Sequence, residues 1–153
     1  MVTTLAIDPG KRIGWCLFGD GKEIERGVTD WGGLVRGFGE LDDYLGGHLT
    51  FLDYVIGEVV IENYVNDPGT PQGGQENPAA EVIGAVRILC AQTNTRFTRQ
   101  PASTLSVAMK HAGYTPPKTR TGNKKHLPDE DSAFLHGFYY EIVHGRAQPV
   151  PLD

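Results

Sequence analysis

Short apolar blocks bounded by turn residues open this chain, and longer stretches with a period near 3.6 close it. Val2 to Asp8 (VTTLAID) and Ile13 to Phe18 (IGWCLF) read as strands separated by a Pro-Gly turn. Asp20-Gly21 marks a tight hairpin, so Lys22 to Thr29 becomes a third, antiparallel strand. Leu34, Phe38, Leu41 and Leu45 recur at steps of four, three and four, a helical stripe weakened by the glycines around it. Tyr54 to Glu62 (YVIGEVVIE) predicts a fourth strand, rich in β-branched residues and ending in an acid. Asn66 to Asn77 reads as a Gly/Pro/Gln loop, Pro78 to Gln92 as a helix and Thr95 to Thr98 as a short strand. Pro101 to His111 predicts a helix with proline at its first position, Tyr114 to Lys125 a polar, basic loop, and Pro128 to Val143 a closing helix. Three hairpin-linked strands followed by strands alternating with helices predict an α/β fold. The sheet is mixed and five-stranded, antiparallel first and parallel afterwards, with helices on both faces.

A length of 153 residues suits one core, so 1–153 is expected to be a single domain. With 39% hydrophobic and 22% charged residues the chain is neither disordered nor fibrous in character. No apolar run approaches the length of a membrane span, and the sequence starts directly in a strand pattern, which points to the cytoplasm. Cys16 and Cys90 each lie in an apolar stretch without a second ligand at zinc spacing, so both are expected to be buried thiols.

Charge changes the picture through its distribution. The stretch from Arg87 to Pro128 holds eight bases and no acid, while the remainder holds six bases and all nineteen acids. The two parts therefore carry +8 and -13 within a chain of net charge -5. Such asymmetry predicts a basic face, the footprint of a nucleic-acid binder, with Arg96, Arg99, Lys110, Lys118, Arg120, Lys124 and Lys125 as candidate phosphate contacts.

The candidate chemistry lies among acids at element ends. Asp8 and Glu62 both close apolar strands, and parallel neighbours would bring the two carboxylates to one edge of the sheet. Hard divalent cations take oxygen ligands, so such a gathering is a metal site in outline. Asp129, Glu130 and Asp131 follow Pro128 at a helix start, where acids also complement the helix dipole. At about 100° per residue, Asp131 shares a stripe with Phe134, Leu135, Phe138 and Ile142, and this phase favours Asp131 as the third acid.

These segments, taken in order, resemble the RuvC-type resolvases of the ribonuclease H-like superfamily. Leu5-Ala6-Ile7-Asp8-Pro9-Gly10 with Ile13-Gly14-Trp15 is similar to the first RuvC motif, and Val60-Ile61-Glu62 to the second. Asn77-Pro78-Ala79-Ala80 with Gly84-Ala85 resembles the Asn-Pro helix start that follows in that family. His126-Leu127-Pro128-Asp129 resembles the variant with His three residues before the last Asp, although Glu130 stands where Ala is usual. The family spacing thus implies Asp129 where helical phase implies Asp131, and both stay candidates. An aromatic three residues after the motif-two glutamate contacts junction DNA in the family. Val65 stands there in this chain, preceded by Tyr64.

The resemblance implies nicking of four-way (Holliday) junctions by two-metal phosphodiester hydrolysis, using two Mg²⁺ ions for which Mn²⁺ substitutes. It implies Asp8, Glu62 and Asp129 or Asp131 as ligands, a lysine such as Lys124 or Lys125 near the scissile phosphate, and His126 as ligand or proton carrier. Two symmetric nicks imply a homodimer, with the Pro78 helix and the closing helix as candidate interfaces. The resemblance also implies a bacteriophage version, with 66–77 and 114–125 as DNA-contacting loops. The competing readings are a YqgF-like ribonuclease acting on RNA, a sugar-kinase-type fold that needs a second domain, and a non-catalytic branched-DNA binder.

Overall fold

The computed structural model describes residues 1–39, 47–63, 77–117 and 127–151. In chain order the elements are β1 (Thr3–Asp8), β2 (Ile13–Gly19), β3 (Lys22–Thr29), α1 (Trp31–Phe38), β4 (Thr50–Phe51) and β5 (Tyr54–Val55). They continue with β6 (Glu58–Asn63), α2 (Pro78–Gln92), β7 (Arg96–Pro101), α3 (Thr104–Ala112) and α4 (Asp129–Val143). β1, β2 and β3 form an antiparallel meander, and β6 and β7 add in parallel on the other side of β1. The resulting sheet runs β3-β2-β1-β6-β7, a mixed five-stranded sheet as the alternating pattern predicts.

Both faces of the sheet are covered because its central strands are apolar on both sides. Leu5, Ile7, Trp15, Leu17, Val59 and Ile61 pack with Leu34 and Phe38 of α1 and with Val82 and Val86 of α2. Ala6, Cys16, Phe18 and Val60 pack on the opposite face with Ala133 and Tyr140 of α4. Cys16 and Cys90 are free, buried thiols that belong to these two different layers.

Small residues let α4 come unusually close. A Cβ on Gly137 would stand 2.2 Å from Phe18 Cε2, and one on Gly14 would stand 2.0 Å from the Asp129 carbonyl oxygen. Gly14 is the cross-strand partner of Asp8, so the first turn of α4 is seated beside the strand end that carries that acid. Gly14→Ala is therefore expected to cost about 1–3 kcal/mol, the range for overpacking, because the atom in the way is backbone. Thermal unfolding checks this, and an unchanged melting temperature would show that α4 does not sit on β2.

The other end of α4 is held by charge. Arg146 bonds Glu141, which is fully buried, and Glu58 at the start of β6, which also faces Thr4 and Arg96. α4 thus spans one sheet face, pinned at both ends.

Three predicted boundaries are corrected. Tyr54 to Glu62 is not one strand. Leu52 and Asp53, at φ 47° and 69°, turn β4 back on β5, and Ile56-Gly57 separates that small hairpin from β6. Pro101 ends β7 as the partner of Asn63 instead of opening a helix, tolerated because β7 is an edge strand. α1 stops at Phe38 before Gly39 at φ 84°, so Leu34 and Phe38 of the predicted stripe are buried in the helix, while Leu41 and Leu45 lie outside the described residues.

Candidate active site

Register, not loop geometry, brings the first two acids together. Ile7 pairs with Ile61 across the parallel β1–β6 ladder, so the next residues, Asp8 and Glu62, end their strands side by side. Both alternate onto the α4 face with Ala6 and Val60. Their carboxyls are in mutual hydrogen-bond contact, and Ser132 on the first turn of α4 reaches Glu62 Oε2 at 3.5 Å.

Beneath them lies a buried polar relay. His136 Nε2 stands 3.4 Å from Glu62 Oε2, in a ring with no solvent exposure. Gln100, the β7 partner of Glu62, donates its amide to the His136 carbonyl at 3.0 Å and meets Nδ1 at 2.9 Å. The carbonyl contact fixes the amide nitrogen as donor, so Nδ1 accepts and the ring proton is carried on Nε2. That proton faces Glu62.

The two carboxyls are driven apart in acidity. Burial first, then the charge of Glu62 with a smaller addition from Asp129, pushes Asp8 up from 3.8 to about 8, against the pull of the Ser132 hydroxyl. Burial also opposes ionisation of Glu62, but the approach of the His136 ring, with bonds from Asp8 and Ser132, outweighs it and leaves Glu62 below its ordinary value. Near neutral pH the pair shares one proton, held mainly by Asp8. Such a pair is relieved by either a proton or a cation.

Asp129 opens α4, its carbonyl against Gly14 and its carboxylate 3.5 Å from Arg12 Nε at the rim. Asp131 is spent elsewhere. Its oxygens take Arg26 Nη1 at 2.8 Å and the Tyr114 hydroxyl, while Arg26 also pairs with Glu23 and lies 4.1 Å over the Phe134 ring. The stripe that faces the two strand-end acids is Asp129, Ser132, Ala133, His136 and Tyr140, two turns separating Asp129 from His136. The phase that selects Asp131 follows instead the side of α4 that meets Arg26 and Tyr114.

Among the described residues, no three carboxylate, imidazole or thiol groups already surround a single point that could hold a metal. The structure instead presents a carboxylate pair with a third carboxylate close enough to act on Asp8. This donor set is all oxygen, which fits a hard divalent cation.

Of the basic candidates, Arg96 bonds Glu58 at 3.3 Å, four residues and about 13 Å along the strand from Glu62. Arg99 is exposed on the edge strand and Lys110 on α3. Tyr64, Lys118, Arg120, Lys124, Lys125 and His126 lie outside the described residues, as does most of both predicted loops. Sequence reading missed His136, Gln100, Ser132 and Arg12. The available signal was a polar pair, Ser132 and His136, in helical phase with Asp129, since buried polar residues are the informative ones.

A β3-β2-β1-β6-β7 sheet, with acids ending its first strand and that strand's parallel neighbour beneath a helix start, is an α/β ribonuclease H-like fold. Within that class the fold is similar to that of RuvC, the family whose motifs the sequence resembles. Thermus thermophilus RuvC in complex with a Holliday junction substrate superposes with a TM-score of 0.57 at 13% identity, over 98% of this chain and 100% of its own. A second Thermus thermophilus RuvC structure gives 0.53 at 13% identity, over 97% and 100%. The fowlpox virus Holliday junction resolvase gives 0.56 at 16% identity, over 94% and 99%. No protein-family model matches the sequence, and no curated protein sequence matches it.

Proposed function

We propose that this chain is a metal-dependent endonuclease that binds branched DNA and nicks four-way junctions. The observation that carries the reading is the carboxyl pair Asp8–Glu62 at one end of adjacent parallel strands, with Asp129 close enough on the helix start to act on Asp8. Support comes from the fold shared with a RuvC bound to a Holliday junction and with a viral Holliday junction resolvase.

Asp8, Glu62 and Asp129 would hold the divalent ions, magnesium with manganese as substitute. Asp131 would join only by giving up Arg26 and Tyr114. Two such ions, when bound, supply an activated water and stabilise the leaving oxygen of a phosphodiester. Asp8 must release its proton to act as ligand. His136, held by Gln100, aims its N–H at Glu62 and fixes that carboxylate's orientation. Arg99 and Lys110, with Lys118, Arg120, Lys124 and Lys125, would hold phosphates, so affinity should fall steeply with salt. Tyr64 would contact the junction, and His126 would assist proton transfer or ligation.

His136→Ala is expected to lower cleavage about 10- to 100-fold, the range for residues that orient metal ligands, and to raise the magnesium concentration needed. His136→Gln, which can still donate, should recover part of both. If the alanine variant titrates with magnesium like the parent, His136 does not position Glu62.

Two symmetric nicks require a homodimer.

The test incubates purified protein with labelled four-way junction, linear duplex and RNA, with and without Mg²⁺. Paired nicks on the junction that need metal support the resolvase. Binding without cutting at any metal concentration would replace it with a branched-DNA binder, and cleavage confined to RNA with a YqgF-like ribonuclease.

A further inference from the structure

A cleft of about 500 Å³ opens beside the β1–β2 turn, on the α1/α2 side of the sheet. Gly10 and Lys11 form one wall, Asp30, Trp31 and Gly32 a second, and the start of α2, with Pro78, Glu81, Val82 and Ala85, the third. Gly10 is two residues from Asp8, at most about 7 Å of extended chain. The nearest wall of the cleft therefore lies at the same strand end as the carboxylate pair, with the rest of it on the opposite face of the sheet.

Its lining has the character of a base-binding subsite. Trp31 stays 40% exposed and outside the apolar core, although indole is among the costliest side chains to leave in water. Lys11 is exposed and makes no ion pair among the described residues. Asp30 uses Oδ1 to accept from the Gly33 N–H at 2.8 Å, which leaves its other oxygen as an acceptor, and Glu81 is exposed on the first turn of α2. An indole face, a cation and two carboxylates match different parts of one nucleotide: the ring, the phosphate and an exocyclic amine.

We propose that this cleft takes a single unstacked nucleobase of a strand that passes the end of β1. The base stacks on Trp31, its phosphate lies toward Lys11, and its exocyclic amine donates to Glu81 or Asp30. Cytosine, adenine and guanine carry that amine and thymine does not, so the cleft favours the first three over thymine. The proposal rests on the nucleic-acid reading above and adds a base preference to it.

The experiment titrates the full chain, as its Asp8→Asn variant in EDTA, into short end-labelled single strands of deoxycytidine or thymidine; anisotropy of the labelled strand gives every affinity, and tryptophan fluorescence reports stacking in the parent. Trp15 is buried, so Trp31→Phe assigns the signal. The expected result is quenching by deoxycytidine strands, weaker binding of thymidine strands, and a loss of about 5- to 100-fold in affinity for Trp31→Ala. Trp31→Phe should retain most of the affinity, and Glu81→Gln should reduce the preference for deoxycytidine. Equal affinities for the parent and Trp31→Ala would overturn the subsite, even while the wild-type chain still nicks junctions. Quenching by deoxycytidine strands from a wild-type chain that cuts nothing would support the subsite and sink the nuclease reading instead. Failure to bind either strand would overturn the subsite.

Discussion

Asp8→Asn is expected to lower junction cleavage by about 10³-fold or more, the scale for removing one member of a catalytic unit, and at the same time to make the metal-free protein more stable at pH 8. The two effects have one cause. Asp8 is half-buried beside the ionised Glu62, which pushes it up to about 8. In the unfolded chain the same group ionises above about pH 4. Folding therefore binds a proton between those limits. The stability contributed by Asp8 is complete below about pH 4 and drains as the pH climbs toward 8. Asparagine keeps the shape, can donate a hydrogen bond to Glu62 and never ionises. A gain of about 1–2 kcal/mol at pH 8, or roughly 2–8 °C in melting temperature for a chain of this size, is expected. Magnesium should act oppositely on the parent. By displacing the shared proton it should stabilise the chain increasingly as pH rises, and binding should release protons. Melting temperatures from pH 5 to 9, in EDTA and in magnesium, check both. Identical pH slopes for the parent and Asp8→Asn in EDTA would remove Asp8 from the account.

Arg146→Met should produce the largest loss of stability. Glu141 is fully buried and Arg146 is its ionic partner, while one oxygen of Glu141 has no hydrogen-bond partner among the described residues. Taking away the guanidinium leaves a carboxylate stranded in the interior, and broken buried pairs of this kind cost about 3–5 kcal/mol. For a chain of this length that corresponds to roughly 6–20 °C in melting temperature. Removing both charges, as Arg146→Met with Glu141→Leu, should recover most of the loss, because the cost lies in the unpaired charge. Calorimetry of the single and double variants checks this. A single variant that melts within a degree or two of the parent would show that the ion pair does not hold the end of α4.

How much of this was readable beforehand depends on the kind of contact. Strand alternation and terminal acids were enough to place Asp8 and Glu62 at one sheet edge, because a parallel neighbour of β1 leaves little choice of where its last residue ends. The two-residue strands β4 and β5 were too short for any periodicity to register, so their hairpin was absorbed into a longer apolar block. Phase misled at α4 because the helix is buried on more than one side. Leu135, Gly137, Tyr140 and Glu141 are all buried, and an apolar stripe chosen from such a helix is ambiguous. The Gln100–His136 bond joins residues 36 apart in sequence, on elements whose contact depends on the whole sheet being assembled. No local pattern encodes it.

The β1–β6 ladder has one more implication. Because strand pairing alone makes Asp8 and Glu62 neighbours, the two acids are tied to the scaffold. On the proposed function, exchanging segments 64–76 and 118–126 should change which nucleic acid is engaged while leaving the two acids paired. A slip of one residue between β1 and β6 would do the reverse, turning one acid to the far side of the sheet.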